Sequence, residues 1–283
     1  MSKEAQGPLA LYDRNIKAKA ILFDATKCTA CRGCQVACKQ WHDLPAEKTK
    51  NYGSYQNPPD LTPQTWLVIR FDETKDEHGL PRWLFNRQSC FHCLEPDCVR
   101  VCPPEALKRR SDGVVDITPD LCIGCGYCID ACPFGVPKMD PASKKVFKCN
   151  FCVDRLDYGL PPACVSSCPT GALEYGERAD LLARARARVE QLRAQGFEQA
   201  DIYGAKRYQT GVLLILPFSP GNYSWLPARP EGNRPIRWWK EVFNPLGSLV
   251  MGGAAAAAII HYVVVGPHRI RKEKNKDSQP KGG

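Results

Sequence analysis

The stretch Cys28-Thr-Ala-Cys31-Arg-Gly-Cys34-Gln-Val-Ala-Cys38 decides the fold. Its C-x2-C-x2-C-x3-C spacing wraps three sulfurs round one tight loop and sends the fourth away on a following helix. Such a run does not close one site by itself. Where this spacing holds a [4Fe-4S] cluster, three thiolates ligate one cluster and the fourth ligates its neighbour, so the run demands a partner run.

Three more runs supply it. Cys90-x2-Cys93-x4-Cys98-x3-Cys102 is followed, after nineteen residues, by Cys122-x2-Cys125-x2-Cys128-x3-Cys132. The fourth run, Cys149-x2-Cys152-x11-Cys164-x3-Cys168, has its second gap stretched to eleven residues and reads as an internal repeat with an insertion. All 16 cysteines of the 283-residue chain fall in these four groups of four. Disulfides would suit an even count in an exported protein, but tight cysteine triplets fit cluster ligation better. Zinc sites pair two separated C-x2-C knuckles, whereas these runs bring three or four sulfurs together over a dozen or so residues. Gly33, Gly124 and Gly126 let the loops close, and proline follows the last cysteine in runs two, three and four (Pro103, Pro133, Pro169). The first run has Lys39 there.

Ligand pairing follows by elimination. Runs two and three are adjacent and exchange ligands locally, which leaves runs one and four to exchange across the chain. On this reading cluster A is held by Cys28, Cys31, Cys34 and Cys168, and cluster B by Cys38, Cys149, Cys152 and Cys164. Cluster C is held by Cys90, Cys93, Cys98 and Cys132, and cluster D by Cys102, Cys122, Cys125 and Cys128. Four clusters within about 140 residues lie close enough to pass electrons in succession. His92, inside the second loop, is expected to pack or hydrogen-bond rather than ligate, because the cysteine set is already complete. His261 is expected to make a helix-helix hydrogen bond, the alternative being approach to a partner's haem or quinone. No nucleophile, acid-base pair or phosphate-binding glycine loop stands out, so no catalytic site is expected in this chain.

The formal charge of +9 invites a nucleic-acid or membrane-surface reading. Ligation changes that: sixteen thiolates and four oxidised cluster cores bring the holo protein to roughly +1. No nucleic-acid partner is expected.

Around the runs, residues 1–20 read as a polar arm with no apolar leader, so export would depend on a partner's signal. Residues 21–175 form the four-cluster region. In it, Ile21 to Asp24 is a short strand, and the runs Thr65 to Phe71 and Pro81 to Phe85 form a hairpin about the turn Asp72 to Gly79. Gly53 to Asp60 is an ordered proline-rich loop. Residues 176–240 supply a covering helix (Glu177 to Gln195, burying Leu181, Ala185, Val189 and Leu192, with Arg184, Arg186, Arg188 and Arg193 on a solvated side), a strand at Val212 to Leu216, and a linker.

Residues 241–267 are expected to form a single transmembrane helix, since Leu246 to Val265 carries no charge and twenty helical residues span about 30 Å. A buried soluble helix is the competing reading. Trp238 and Trp239 stand before the span, and the basic tail 268–283 follows it with His268, Arg269, Arg271, Lys272, Lys274 and Lys276. This asymmetry, softened by Arg234, Arg237 and Lys240, points to a cytoplasmic tail. Small residues from Gly247 to Ala258 favour close packing on another membrane helix. The fold class expected is α+β: two ferredoxin-like two-cluster modules with loop and hairpin insertions, followed by one C-terminal transmembrane helix.

The chain resembles the four-cluster iron-sulfur subunits of membrane-bound molybdopterin oxidoreductases, through the four runs and their x4 and x11 gaps. Within them it is similar to the beta subunits of respiratory formate dehydrogenases. That likeness rests on Cys28 through Pro45, on Gly53-Ser-Tyr-Gln-Asn-Pro-Pro-Asp-Leu61 and on His261-Tyr-Val-Val-Val-Gly-Pro-His-Arg269. The resemblance implies an electron-transfer subunit. A catalytic alpha subunit with a molybdenum or tungsten bis-pterin cofactor would oxidise formate and feed the run-one cluster. The run-three cluster would lie nearest the membrane, where a gamma subunit carrying haem b takes electrons to quinone. The globular part would be periplasmic, on the cytoplasmic membrane. The alternatives are the same role in a hydrogenase or another molybdoenzyme, or a metal-stabilised interaction scaffold.

Overall fold

The computed structural model describes residues 18–277 except 77, 207, 233, 234, 236, 237 and 239–241, with backbone alone over 265–277. Most of the expected arm, residues 1–17, lies outside the described residues, and its last two residues already belong to a strand. Strand β1 (Lys19–Asp24) leads into the first loop, after which comes helix α1 (Gly33–Trp41). A hairpin of β2 (Val68–Lys75) and β3 (Pro81–Gln88) follows. Then come α2 (Asp97–Arg100), β4 (Leu107–Arg109), β5 (Val115–Ile117) and α3 (Tyr127–Ala131). The two-residue strands β6 (Lys138–Met139) and β7 (Val146–Phe147) precede α4 (Val153–Asp157) and α5 (Ala163–Ser166). The sequence closes with β8 (Leu173–Glu177), α6 (Arg178–Ala194), β9 (Asp201–Tyr203) and β10 (Val212–Leu216).

The element that orders the rest is a four-stranded sheet, β8-β1-β10-β9. The apolar run of β10 is buried at every position, as a strand covered on both faces must be. It pairs in parallel with β1, Ile21 opposite Val212 and Asp24 opposite Ile215, while β8 and β9 run antiparallel on the flanks. Alternate side chains of a strand face opposite sides. Ile21, Phe23, Val212, Leu214 and Leu216 therefore enter one core, shared with Cys34, Cys38, Cys90, Cys149 and Cys164. Ala20, Leu22, Leu213 and Ile215 enter a second core against Leu181, Ala185, Val189 and Leu192 of α6. The sheet is thus a wall with the cysteine loops on one side and a covering helix on the other.

Three expectations change. Residues 176–240 are not a separate covering segment: β9 and β10 complete the sheet begun by β1, and residues 1–233 form one compact unit. Adjacency in the chain misses this, because the parallel pair joins residues about 190 positions apart. The hairpin strands run further than their apolar stretches. Asp72 to Lys75 continue β2, pairing with Pro81 to Leu84, since one edge of this ribbon can carry polar side chains. The basic side of α6 is not simply solvated. Arg188 Nε donates to the buried carboxylate of Asp24 at 3.0 Å, Arg184 pairs with Glu174 at 2.7 Å, and Arg193 donates to the carbonyl of Ala200.

Residues 234–283 form a second unit, whose helix α7 runs from Asn244 to Asp277. It is longer than the expected span of 241–267 and takes in the start of the basic tail. The arginines, lysines and glutamate of 269–276 are good helix formers, and Pro267 removes only one backbone donor. Within it Asn244–Val264 is 21 residues long with a mean hydropathy of 1.7, long and apolar enough to cross a membrane.

Candidate metal centre

The four cysteine loops share one local geometry. The second residue after each first cysteine has positive φ: Ala30 (53°), His92 (45°), Gly124 (70°) and Phe151 (66°). This left-handed turn coils the chain back so that its amide faces the preceding sulfur. The amides of Ala30, His92 and Phe151 donate to Cys28, Cys90 and Cys149 Sγ at 3.4, 3.5 and 3.4 Å. The third cysteine is then the second residue of a short helix in every run: Cys34 in α1, Cys98 in α2, Cys128 in α3 and Cys164 in α5. The unequal x2, x4 and x11 gaps are absorbed before that helix, and α4 occupies the first five residues of the longest one.

Gly124 is the one loop position where a side chain has no room. A Cβ there would stand 2.3 Å from the carbonyl oxygen of Lys144. Ala30 shows that alanine tolerates the turn itself, so the clash is the cost. Gly124→Ala is expected to open the run-three loop and lose about one cluster, near 4 Fe per chain, read by iron analysis of the assembled protein.

All sixteen cysteines are free thiols. Cys28, Cys31, Cys34 and Cys168 line one cavity, together with Phe23 and Ile69. Cys102, Cys122, Cys125 and Cys128 line another, closed by Leu107, Ile117 and Val146. Cys38 lies in the field of Cys149, Cys164 and Cys152, and Cys93 in that of Cys132, Cys90 and Cys98. Each of these sets joins three cysteines of one run to one of another. Neighbouring sets meet through particular pairs: Cys34 with Cys164, Cys90 with Cys149, and Cys98 with Cys128. Cys31 and Cys125 are exposed, while Cys38, Cys149, Cys152 and Cys164 are all buried.

Burial dominates the acidity of these thiols. It pushes Cys34, Cys128 and Cys152 up to about 12 and Cys90 to about 11, with neighbouring sulfurs adding to the rise. Cys38, Cys93 and Cys98 are raised well above the ordinary value for the same reason. Cys168 differs: there burial is outweighed by hydrogen bonds from the Thr170 hydroxyl and the amides of Leu173, Thr170 and Ala172, and the thiol falls below its ordinary value. So many soft donors brought together in these loops fit iron-sulfur ligation. Among the described residues no three His, Cys, Asp or Glu side chains form a site for a single metal ion.

Sequence reasoning missed the polar groups behind the sulfurs. Arg87 is fully buried, with Nη2 3.9 Å from Cys164 Sγ. Lys148, also buried, donates to the carbonyls of Val115 at 2.5 Å and Cys149 at 3.0 Å. His42 Nε2 lies 3.4 Å from Cys152 Sγ, its ring against Trp66. A charged residue within a strand reads as solvent-facing, so nothing in the sequence marked Arg87, whereas Lys148 directly precedes Cys149. His92 packs edge-on to Phe151, and its Nδ1 accepts from the Val115 amide at 3.1 Å. Arg87 Nε and His92 Nε2 are buried without a hydrogen-bond partner among the described residues. Donors left unpaired in this way suit a group with acceptor sulfurs.

Two models described as "4Fe-4S dicluster domain" match residues 27–106 and 81–178, and one described as "Formate dehydrogenase N, transmembrane" matches residues 233–275. The chain is 40% identical over 260 residues to the formate dehydrogenase-O iron-sulfur subunit of Escherichia coli, covering 90% of this chain and 86% of that protein. It is 39% identical to the formate dehydrogenase iron-sulfur subunit of Haemophilus influenzae, covering 92% and 87%. It is 43% identical over 204 residues to the formate dehydrogenase 2 subunit beta (cytochrome c-553) of Nitratidesulfovibrio vulgaris, covering 69% and 93%.

Proposed function

Because the chain belongs to the iron-sulfur subunits of formate dehydrogenase complexes, electron-transfer subunits that carry four [4Fe-4S] clusters and no catalytic site of their own, we propose a ligand assignment and a direction for its wire. Bound clusters supply one-electron carriers, and everything else is done by the chain that spaces, insulates and charges them. Clusters A to D take the ligand sets given by elimination, A with Cys28, Cys31, Cys34 and Cys168 and D with Cys102, Cys122, Cys125 and Cys128. The observation that carries this reading is the succession of thiol sets linked through those pairs, with an exposed cysteine only in the first and the last, Cys31 and Cys125. A store of charge has no need of two exits; a relay does.

Cluster A would face a molybdopterin-containing catalytic alpha subunit and cluster D a membrane cytochrome b gamma subunit. Exposed apolar side chains stand beside each end, Val36 on α1 and Ile123 and Tyr127 around run three, in support of two docking surfaces. The protein is anchored to the membrane by its C-terminal helix and works in a complex with other subunits. The basic residues after the span favour a cytoplasmic tail and a periplasmic globular part. In chemical terms the two modules are ferredoxin-like, A with B and C with D.

Cys38→Ser in the assembled complex tests the assignment. Although Cys38 belongs to run one, the EPR signal expected to change is that of the cluster held by Cys149, Cys152 and Cys164. A change confined to the cluster held by Cys28, Cys31 and Cys34 would refute the exchange of ligands between runs one and four.

A further inference from the structure

Burial sets a difficulty for this wire. An electron added to a tetrathiolate cluster makes an already negative group more negative, and a low-dielectric interior opposes that. The two central groups are the ones most enclosed by protein. Burial alone would make the middle of the relay a barrier between two easier ends.

Two cations sit at that point, and neither was accounted for by cluster ligation. Arg87, on β3, has both its residue exposure at 2% and its guanidinium against Cys164. Its surroundings are Cys164, Cys149, Cys34 and Cys38, three from group B and one from group A. Lys148, following β7 and directly before Cys149, is likewise 2% exposed, its Nζ held between the carbonyls of Val115 and Cys149, within electrostatic reach of Cys90, Cys98 and Cys132 of group C. Among the described residues neither cation has a carboxylate within ion-pair distance. A buried charge without a counter-charge is strongly disfavoured, so their anions are the thiolate clusters themselves. Group D has no such cation among the causes acting on Cys128, which are burial, the thiols of Cys102, Cys125 and Cys122, and a backbone hydrogen bond.

We propose that Arg87 and Lys148 are charge-positioning residues of the relay, Arg87 raising the reduction potential chiefly of cluster B and Lys148 that of cluster C, so that the buried centre accepts electrons as readily as the exposed ends. No bond or proton transfer is involved. A cluster held by Cys38, Cys149, Cys152 and Cys164, or by Cys90, Cys93, Cys98 and Cys132, would supply a one-electron carrier there. Arg87 and Lys148 would hold fixed positive charge beside those thiolates. This rests on the ligand assignment above, and its test separates the two.

The experiment is EPR-monitored potentiometry of the intact complex with Arg87→Gln, Arg87→Lys and Lys148→Gln, with iron content measured in each. Arg87→Gln is expected to lower the reduced-to-oxidised ratio of cluster B at fixed potential by at least tenfold, about 59 mV for a one-electron couple, with a smaller effect on A and none on D. Lys148→Gln is expected to do the same to C. Arg87→Lys, which keeps the charge, is expected to stay near the parent. Unchanged midpoints in both glutamine variants overturn the proposal, as does an equal fall in Arg87→Lys and Arg87→Gln. Should Arg87→Gln fail to hold its iron, Lys148→Gln decides alone, an unmoved C midpoint refuting the idea. If midpoints fall but in clusters that separate cysteine variants assign differently, the ligand assignment fails and the role of the cations stands.

Discussion

Stripping iron from the protein is expected to unfold the unit of residues 18–232, and not merely to empty it. The cysteines are part of its core: Cys34, Cys38, Cys90, Cys149 and Cys164 pack in the same cluster as Ile21, Phe23 and Leu214. Without iron the raised thiols are protonated at neutral pH, and Arg87 and Lys148 lose the anions that balance them. Breaking a buried charge pair by removing one partner costs about 3–5 kcal/mol. Two such losses are of the same order as the whole stability of an ordinary domain, about 5–15 kcal/mol. Near-UV circular dichroism and hydrogen exchange after anaerobic chelation measure it, and a native-like spectrum with protected β1 and β10 amides would contradict it.

The pH dependence of whatever residual structure survives chelation has a definite sign. A thiol whose value is raised by folding, as from 9.0 to about 12 at Cys34, Cys128 and Cys152, favours the fold below its unfolded value. That contribution is lost as pH rises through the window from 9.0 to about 12. Iron-free protein should therefore lose structure on the alkaline side. In the loaded protein the thiolates are already committed to iron, and this slope should be absent.

Ending the chain after residue 232 is expected to transfer it from the carbonate-resistant membrane fraction to the supernatant while it keeps close to 16 Fe per chain. The 21 residues of Asn244–Val264 reach about 30 Å as a helix, enough to cross the hydrocarbon of a bilayer. Residues 1–233 and 234–283 are separate compact units, so the cut removes no part of the cysteine cores. Iron analysis and membrane fractionation of the same preparation give both readings. Retention of the shortened chain in the membrane would mean that partner subunits, rather than its own helix, hold it there. Loss of iron would mean that the second unit supports the first.

Much of the site was legible because cluster ligation leaves a local record. Three sulfurs reach one cluster only if they share a short loop, so Cys28, Cys31 and Cys34 announce themselves by spacing, and Cys38, left over, calls for another run. The span was legible for a similar reason: a bilayer imposes a length and an apolar composition on consecutive residues. The helix α6 was read from the period of Leu181, Ala185, Val189 and Leu192, all of which are buried.

What consecutive residues do not record is where distant ones meet. The sequence by itself determined the number and kind of metal centres, the covering helix and the membrane span, since each depends on the spacing of residue types within a few turns of chain. Only the tertiary structure decided that β1 and β10 lie parallel at the heart of one sheet, and that Arg87 and Lys148 are interior charges. It also decided that, of the sixteen cysteines, Cys31 and Cys125 are the exposed ones. A strand's partner and a cation's counter-charge are chosen by packing across the whole unit, where burial turns a charge that would be idle in water into one of the largest local energies.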